Sequence, residues 1–375
     1  MKINPRKVKP ATSCNGARQR GLTLIEVMIA LTIGLFLMVG TITMFISNKR
    51  TYTEQDQMSR LQENARFAMA LIISDLRISG HVGCIGDTNA INDTVGVAGT
   101  GITAAKDNFV EGLEGSDAIP QKFKPSNSAK PADIVTGTDA LITRYTQEIN
   151  LPVYAPYMTN TTSDISINQN PPAVTPNSLQ IGAIIAISDC TTTDIFKITG
   201  ADHPSTNGII EHAALSKAYG NDMARILRFF TRSYYIGNRD ANSATADCDS
   251  DGVMDNADAD VCPALFRNGE SLADWIEDMQ ILYGEDTSGD KVPNTFVTAS
   301  TVANWNNVIA IRIGILARSP DEYGPDTDTN TYNLFTGAKG CVVGADIGCV
   351  NPADLRVRRR VMTNTVVLRN QIYGL

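Results

Sequence analysis

The pattern of apolar and polar positions divides the chain near residue 50. From Val27 to Ile46 there is neither a charge nor a proline. A helix of ~20 such residues spans ~30 Å, the thickness of a bilayer core. Glu26 stands inside the start of this run, where an unpaired carboxylate is costly. After Lys49 the pattern becomes one-sided. Met58, Leu61, Ala65, Ala68, Ile72 and Leu76 recur at spacings of three and four, while Gln55, Asp56, Gln62, Glu63 and Asp75 occupy other faces. No proline interrupts Leu22 to Ser79, and Gly80 is a natural stop. The spacing predicts one helix over 22–79, spanning lipid over 22–46 and then packing on a globular domain. Gly34 and Gly40 weaken the apolar half as a helix and also permit close helix–helix approach.

Beyond the helix the period changes. Residues 84–131, rich in Gly, Asn, Asp, Thr and Ala, read as irregular with little core. Strands are predicted at 132–145 (broken at Gly137), 179–188, 194–199, 225–236, 308–317 and 362–368. In Val308–Ala317, Ile309, Ile311, Ile313 and Ile315 share one face and Arg312 lies on the other. Ser271 to Ile281 fits a short helix or a strand equally well. Residues 147–177 and 318–354 read as Pro-, Asn- and Thr-rich loops. Strands without long intervening helices favour an antiparallel sheet. The expected fold is α+β, with the helix packed on an exported, β-rich domain over 80–375.

Charge orients this arrangement. Every charge before Gly21 is positive, and six of the 32 basic residues lie there, so 26 face 40 acidic residues beyond it. A basic leader before an apolar span places the leader in the cytoplasm and the bulk outside. No A-x-A pattern follows Ile46, so the apolar run stays in the mature protein. The acidic exterior argues against nucleic acid as a direct ligand of this chain, a local basic patch aside. Arg356, Arg358, Arg359 and Arg360 form one basic run, open to an acidic partner or to a solvated or salt-bridged strand.

Cys14 lies in the leader, and the six cysteines beyond it suit an oxidising compartment. Cys248–Cys262 and Cys341–Cys349 each bracket a short loop, which leaves Cys84–Cys190. No C-x-x-C spacing occurs, and His81, His203 and His212 are the only histidines. This makes zinc a weaker alternative.

Chemistry-bearing motifs are few. Residues 247–258 fit D-x-D-x-D-G, with Asp247, Asp249 and Asp251 at alternate positions, Gly252 at the turn, and Asp255 and Asp258 beyond. Such carboxylates converge on a hard cation, with the Val253 carbonyl as a further ligand, and flexible oxygens suit Ca2+ better than Mg2+. Asp258 replaces the usual bidentate Glu. Without flanking helices, and with Cys248 and Cys262 at its ends, the loop resembles the disulfide-clipped aspartate repeats of thrombospondin type 3. A merely solvated acidic loop is the alternative. Asp286-Thr287-Ser288-Gly289-Asp290 is a half-match that fits a solvated turn. Gly99 to Ala104 matches G-x-G-x-x-A but follows no apolar strand, so it does not read as a dinucleotide site. G-x-S-x-G, P-loop and H-E-x-x-H patterns are absent from the sequence, and an enzyme is not expected.

Gly21-Leu22-Thr23-Leu24-Ile25-Glu26, after a basic leader, resembles the class III signal of type IV prepilins and pseudopilins. Ser47-Asn48-Lys49, the stretch Ser59 to Ala68, Asp75-Leu76-Arg77, Gly80 to Cys84, Tyr283 to Thr287 and Val366 to Asn370 are similar to the PilW family of minor pilins. The resemblance implies cleavage between Gly21 and Leu22 by a prepilin peptidase, removal of leader 1–21, and methylation of the new amine. Leu22 departs from the phenylalanine common there. It implies that Glu26, the fifth mature residue, pairs with the amine of a neighbouring subunit. It implies an inner-membrane intermediate, then a place at the pilus tip among other minor pilins and the major pilin, priming assembly. A calcium-dependent tip adhesin and a minor pseudopilin of type II secretion are the competing expectations.

Overall fold

The computed structural model describes residues 23–85, 90–94, 110–113, 134–135, 137–167, 179–200, 208–220, 223–238, 262–320, 327–343, 345–352 and 355–372. It divides into two compact units, Met1–Gln55 and Asp56–Leu375. Helix α1 runs Leu24–Ile78. The strands are β1 (Ile91–Asp93), β2 (Val110–Leu113), β3 (Ala140–Pro152), β4 (Ile165–Ser166), β5 (Ile184–Ser188), β6 (Thr193–Thr199), β7 (Ile209–His212) and β8 (Arg225–Asn238). They continue with β9 (Pro263–Arg267), β10 (Glu270–Asp274), β11 (Ile276–Glu285), β12 (Thr295–Val297), β13 (Val308–Arg318), β14 (Tyr332–Asn333), β15 (Cys349–Val350) and β16 (Arg359–Val367). A last short helix, α2, spans Arg369–Ile372. The fold is α+β, one long apolar helix with large antiparallel sheets.

In the first unit every residue from Thr23 to Thr53 is exposed. The helix is long and apolar enough to cross a membrane, and its hydrophobic window buries nothing against the chain itself. Beyond the helix's own backbone, nothing lies within 4 Å of a Cβ added to Gly34 or Gly40.

In the second unit β8 organises a ten-stranded sheet. β3 pairs antiparallel along one edge of β8, and β5 and β9 share its other edge. A second sheet has the order β12-β11-β13-β16, and β14 pairs β15 as a ribbon. Leu61, Ala65, Ala68, Ile72 and Leu76 are all fully buried. They form one core with Tyr234, Ile236, Met279, Ile281, Ile311 and Ile313. Each large side chain so buried contributes about 1.5–3 kcal/mol. A separate core, built on Leu151, Ile165, Ile187, Phe196 and Ile210, lies toward the far end of the large sheet.

Several loop expectations are corrected. Within 84–131, β1 runs parallel to β6 with Ile91 buried, and β2 pairs β3. Sparse apolar residues hid these strands. Within 147–177, β3 extends to Pro152 through a bulge, and Val153, Met158 and Ile167 join the second core. Within 318–354, β14 and β15 form their ribbon. Ser271 to Ile281 resolves into β10 and β11, parted at Trp275, whose φ of 66° breaks the strand. The Arg318 guanidinium stacks 5.0 Å from its ring centroid. β13 is covered on both faces rather than one. A Cβ on Gly314 would sit 2.4 Å from the Leu334 carbonyl oxygen, so only glycine admits that lid.

Candidate functional site

The helix start is a capping box. Thr23 precedes the first helical residue and supplies the N-cap. Its N–H and hydroxyl each donate to Glu26 Oε2 at 2.9 Å, and the Glu26 N–H donates to the Thr23 hydroxyl at 3.4 Å. The reciprocal bonds satisfy groups that a helix start leaves orphaned. The spacing Thr-x-x-Glu is readable in the sequence as a capping signature, which weighing Glu26 only as a costly charge and as the partner of a neighbouring amine left out. Gly21 and Leu22 lie outside the described residues.

At the other end of α1 the sequence-distant segments converge. Gly80 takes a φ of 77°, the left-handed conformation that closes a helix, and its N–H donates to the Arg144 carbonyl. The Asn370 amide donates to the carbonyls of Ser79 (3.0 Å) and Ile78 (3.4 Å), capping the last turn. Leu368 is fully buried and its N–H bonds the Ile309 carbonyl. The C-terminal segment therefore fastens the helix end to the second sheet.

Asp75, off the apolar stripe, is nonetheless buried. The Tyr234 hydroxyl donates to its Oδ2 at 2.6 Å, and Arg267 lies 3.7 Å away. Burial, and then the Asp75 carboxylate, raise the Tyr234 phenol well above its ordinary value. A carboxylate on a helix face reads as solvated unless its cross-chain partners are known. The outward side of the same helix, with Gln62, Arg66 and Phe67, lines an open groove of about 820 Å³ with Leu272 and Asp274.

Tyr283 to Thr287 proves structural. Glu285 Oε1 accepts the N–H groups of Ala303 and Asn304. Asp286 accepts those of Ser288, Gly289 and Lys291 at 2.7–3.0 Å. Loss of solvent raises the Asp286 pKa, but these N–H groups outweigh it and the net shift is downward. The half-match at 286–290 is thus a turn held by its own backbone. In the basic run, Arg359 is committed internally. It makes a bidentate pair with Glu277 at 2.6 and 3.1 Å and reaches Asp328 at 3.3 Å.

Cys84 bonds Cys190 and Cys341 bonds Cys349. Cys262 takes part in a disulfide; its expected partner Cys248 lies outside the described residues. So do Gly99 to Ala104 and the whole acidic loop with Asp247, Asp249, Asp251, Val253, Asp255 and Asp258. Among the described residues no His, Cys, Asp and Glu cluster has metal-ligand geometry.

Two family models match the chain. The prokaryotic N-terminal methylation motif covers residues 16–42, and the type IV pilus-assembly protein W model covers residues 233–370. The second match takes in β9 to β16 and the Asn370 cap. No curated protein and no solved structure matches the chain.

Proposed function

On the premise that the chain is a PilW-like type IV pilin, we propose that it is a minor subunit that primes fibre assembly and sits at the fibre tip. One observation carries the proposal: a fully exposed apolar half-helix opens on a single carboxylate whose partners here are two groups of Thr23. In the membrane, lipid covers the apolar face. In a fibre, neighbouring helices take that place, and the amine of an adjacent subunit replaces Thr23 as the partner of Glu26. A charge-assisted pair shielded from water is far stronger than one in solvent. A single carboxylate can then set the stagger of subunits. Prepilin peptidase cleaves before Leu22 on the cytoplasmic side and methylates the exposed amine. The family matches point to a structural pilin rather than an enzyme. Adhesion, twitching or DNA uptake would follow from the assembled fibre.

The test is composition. Sheared, purified fibres should contain the chain beginning at methylated Leu22, in far fewer copies than the major subunit. Its absence from fibres, with recovery in a type II secretion complex, would reassign it as a pseudopilin.

We also propose that Asp247, Asp249, Asp251, Asp255 and Asp258, with the Val253 carbonyl, hold Ca2+. The supporting observations are the alternate-carboxylate spacing and the disulfide at Cys262. Chelation should lower the melting temperature of the full chain by several degrees, and added Ca2+ should restore it; an unchanged melting curve would remove the ion.

A further inference from the structure

Arg228, Phe230 and Arg232 alternate along β8, so they share one face of the large sheet. The Arg228 guanidinium lies 4.7 Å from the Phe230 ring centroid and that of Arg232 lies 5.2 Å from it. Across the β3–β8 register, Tyr145 pairs with Phe230, and their rings stack at 5.4 Å. This face lies between two cores. Ile226, two residues before Arg228, belongs to one, and Tyr234, two residues after Arg232, belongs to the other. The triplet is the stretch of β8 on this face that neither core covers.

The charges here are unbalanced. Neither guanidinium pairs with a carboxylate among the described residues, and Arg232 Nε is buried with no hydrogen-bond partner. Arg359, by contrast, is answered by Glu277 and Asp328. A half-buried, uncompensated cation is costly, and a guanidinium stacked on an aromatic ring keeps its in-plane N–H groups available for an oxyanion. The two arginines start four residues apart on a strand, but both guanidiniums converge on the one Phe230 ring and so lie within about 10 Å of each other. Outward side chains two residues apart on a second extended chain, about 7 Å, fall within that reach.

We propose that Arg228 and Arg232 form a twin carboxylate-binding site for an acidic extended segment of a neighbouring protein subunit. That the neighbour is a pilus subunit rests on the pilin reading above; the site itself does not. Nucleic acid is the less favoured occupant. The ring surface is taken up by Tyr145 and the two guanidiniums, which leaves no stacking platform for bases.

The test uses the full chain in detergent micelles and a short labelled peptide carrying aspartates two residues apart. Binding should saturate, weaken as salt rises, and fall by about tenfold or more in R228Q/R232Q. R60Q, which removes an exposed arginine paired with Asp56, should bind as the parent does. The double variant should melt no lower than the parent, because it loses an uncompensated charge. If it fails to fold, R228K/R232K keeps the charge and loses the fork, and should bind with intermediate affinity. Unsaturable binding, or equal binding by parent and variants, overturns the site. Displacement of the peptide by an oligothymidylate at lower concentration than by unlabelled peptide overturns the protein partner in favour of nucleic acid. Because no fibre is needed, a chain that fails to enter pili can still show this binding, and the two readings fail separately.

Discussion

The two halves of α1 are one continuous helix with opposite requirements. From Asp56 to Ile78 it finds its apolar partners within the chain, and even its buried carboxylate, Asp75, is matched by Tyr234 and Arg267. From Leu24 to Gln55 it finds none. Helical periodicity is the same in both; the distribution of apolar residues around the axis differs. A stripe is satisfied by one sheet, whereas a helix apolar all round needs a medium on every side. On the proposed reading, the exposed half is buried twice, first in lipid and then among like helices.

The largest predicted effect separates the halves directly. Ile72→Ala removes a fully buried side chain from the main core and should destabilise the domain by about 2–5 kcal/mol, read by denaturant unfolding of the full chain in micelles. Leu35→Ala, in the exposed half, should leave that unfolding curve unchanged. Equal losses would contradict the division.

A smaller effect sharpens the same contrast by pH. The domain answers most of its buried carboxylates with N–H groups or guanidinium, as at Glu285, Asp286 and Glu277. Asp278 differs. Burial pushes its pKa up to about 7, the Gln280 amide works against that rise, and the nearby Asp139 and Glu277 charges add to it. The native state thus holds a proton that the unfolded chain releases near pH 4. The stability from this group is complete below that pH and is lost as pH rises through about 7. Asp278→Asn should stabilise the domain by on the order of 1–2 kcal/mol at pH 8 and not at pH 4. A gain equal at both pH values would contradict the cause.

The sequence exposed what depends on local pattern. The apolar run, the stripe from Leu61 to Leu76, the stop at Gly80 and the existence of β13 all follow from pattern within a few turns or residues, although β13 is buried on both faces. What it hid depends on distant partners. The burial of Asp75 was not legible because its partner Tyr234 lies 159 residues away. The Asn370 cap on Ser79 crosses 291 residues. The strands at 91–93 and 165–166 are too short to carry a period and exist because the large sheet offers them edges. At the helix start the failure was of another kind. The Thr23–Glu26 box is local, but attention to the cost of the charge obscured its cap.

The central claim is that Glu26 exchanges its Thr23 partners for the amine of another subunit when the exposed half-helix enters a fibre. The most direct measurement is the amount of chain in sheared fibres relative to the membrane pool, for the parent and for Glu26→Ala expressed at equal levels. The account predicts normal cleavage before Leu22, normal membrane insertion, and a loss of about tenfold or more in incorporation, as expected for an unpaired buried charge. Parent-like incorporation of Glu26→Ala would contradict it.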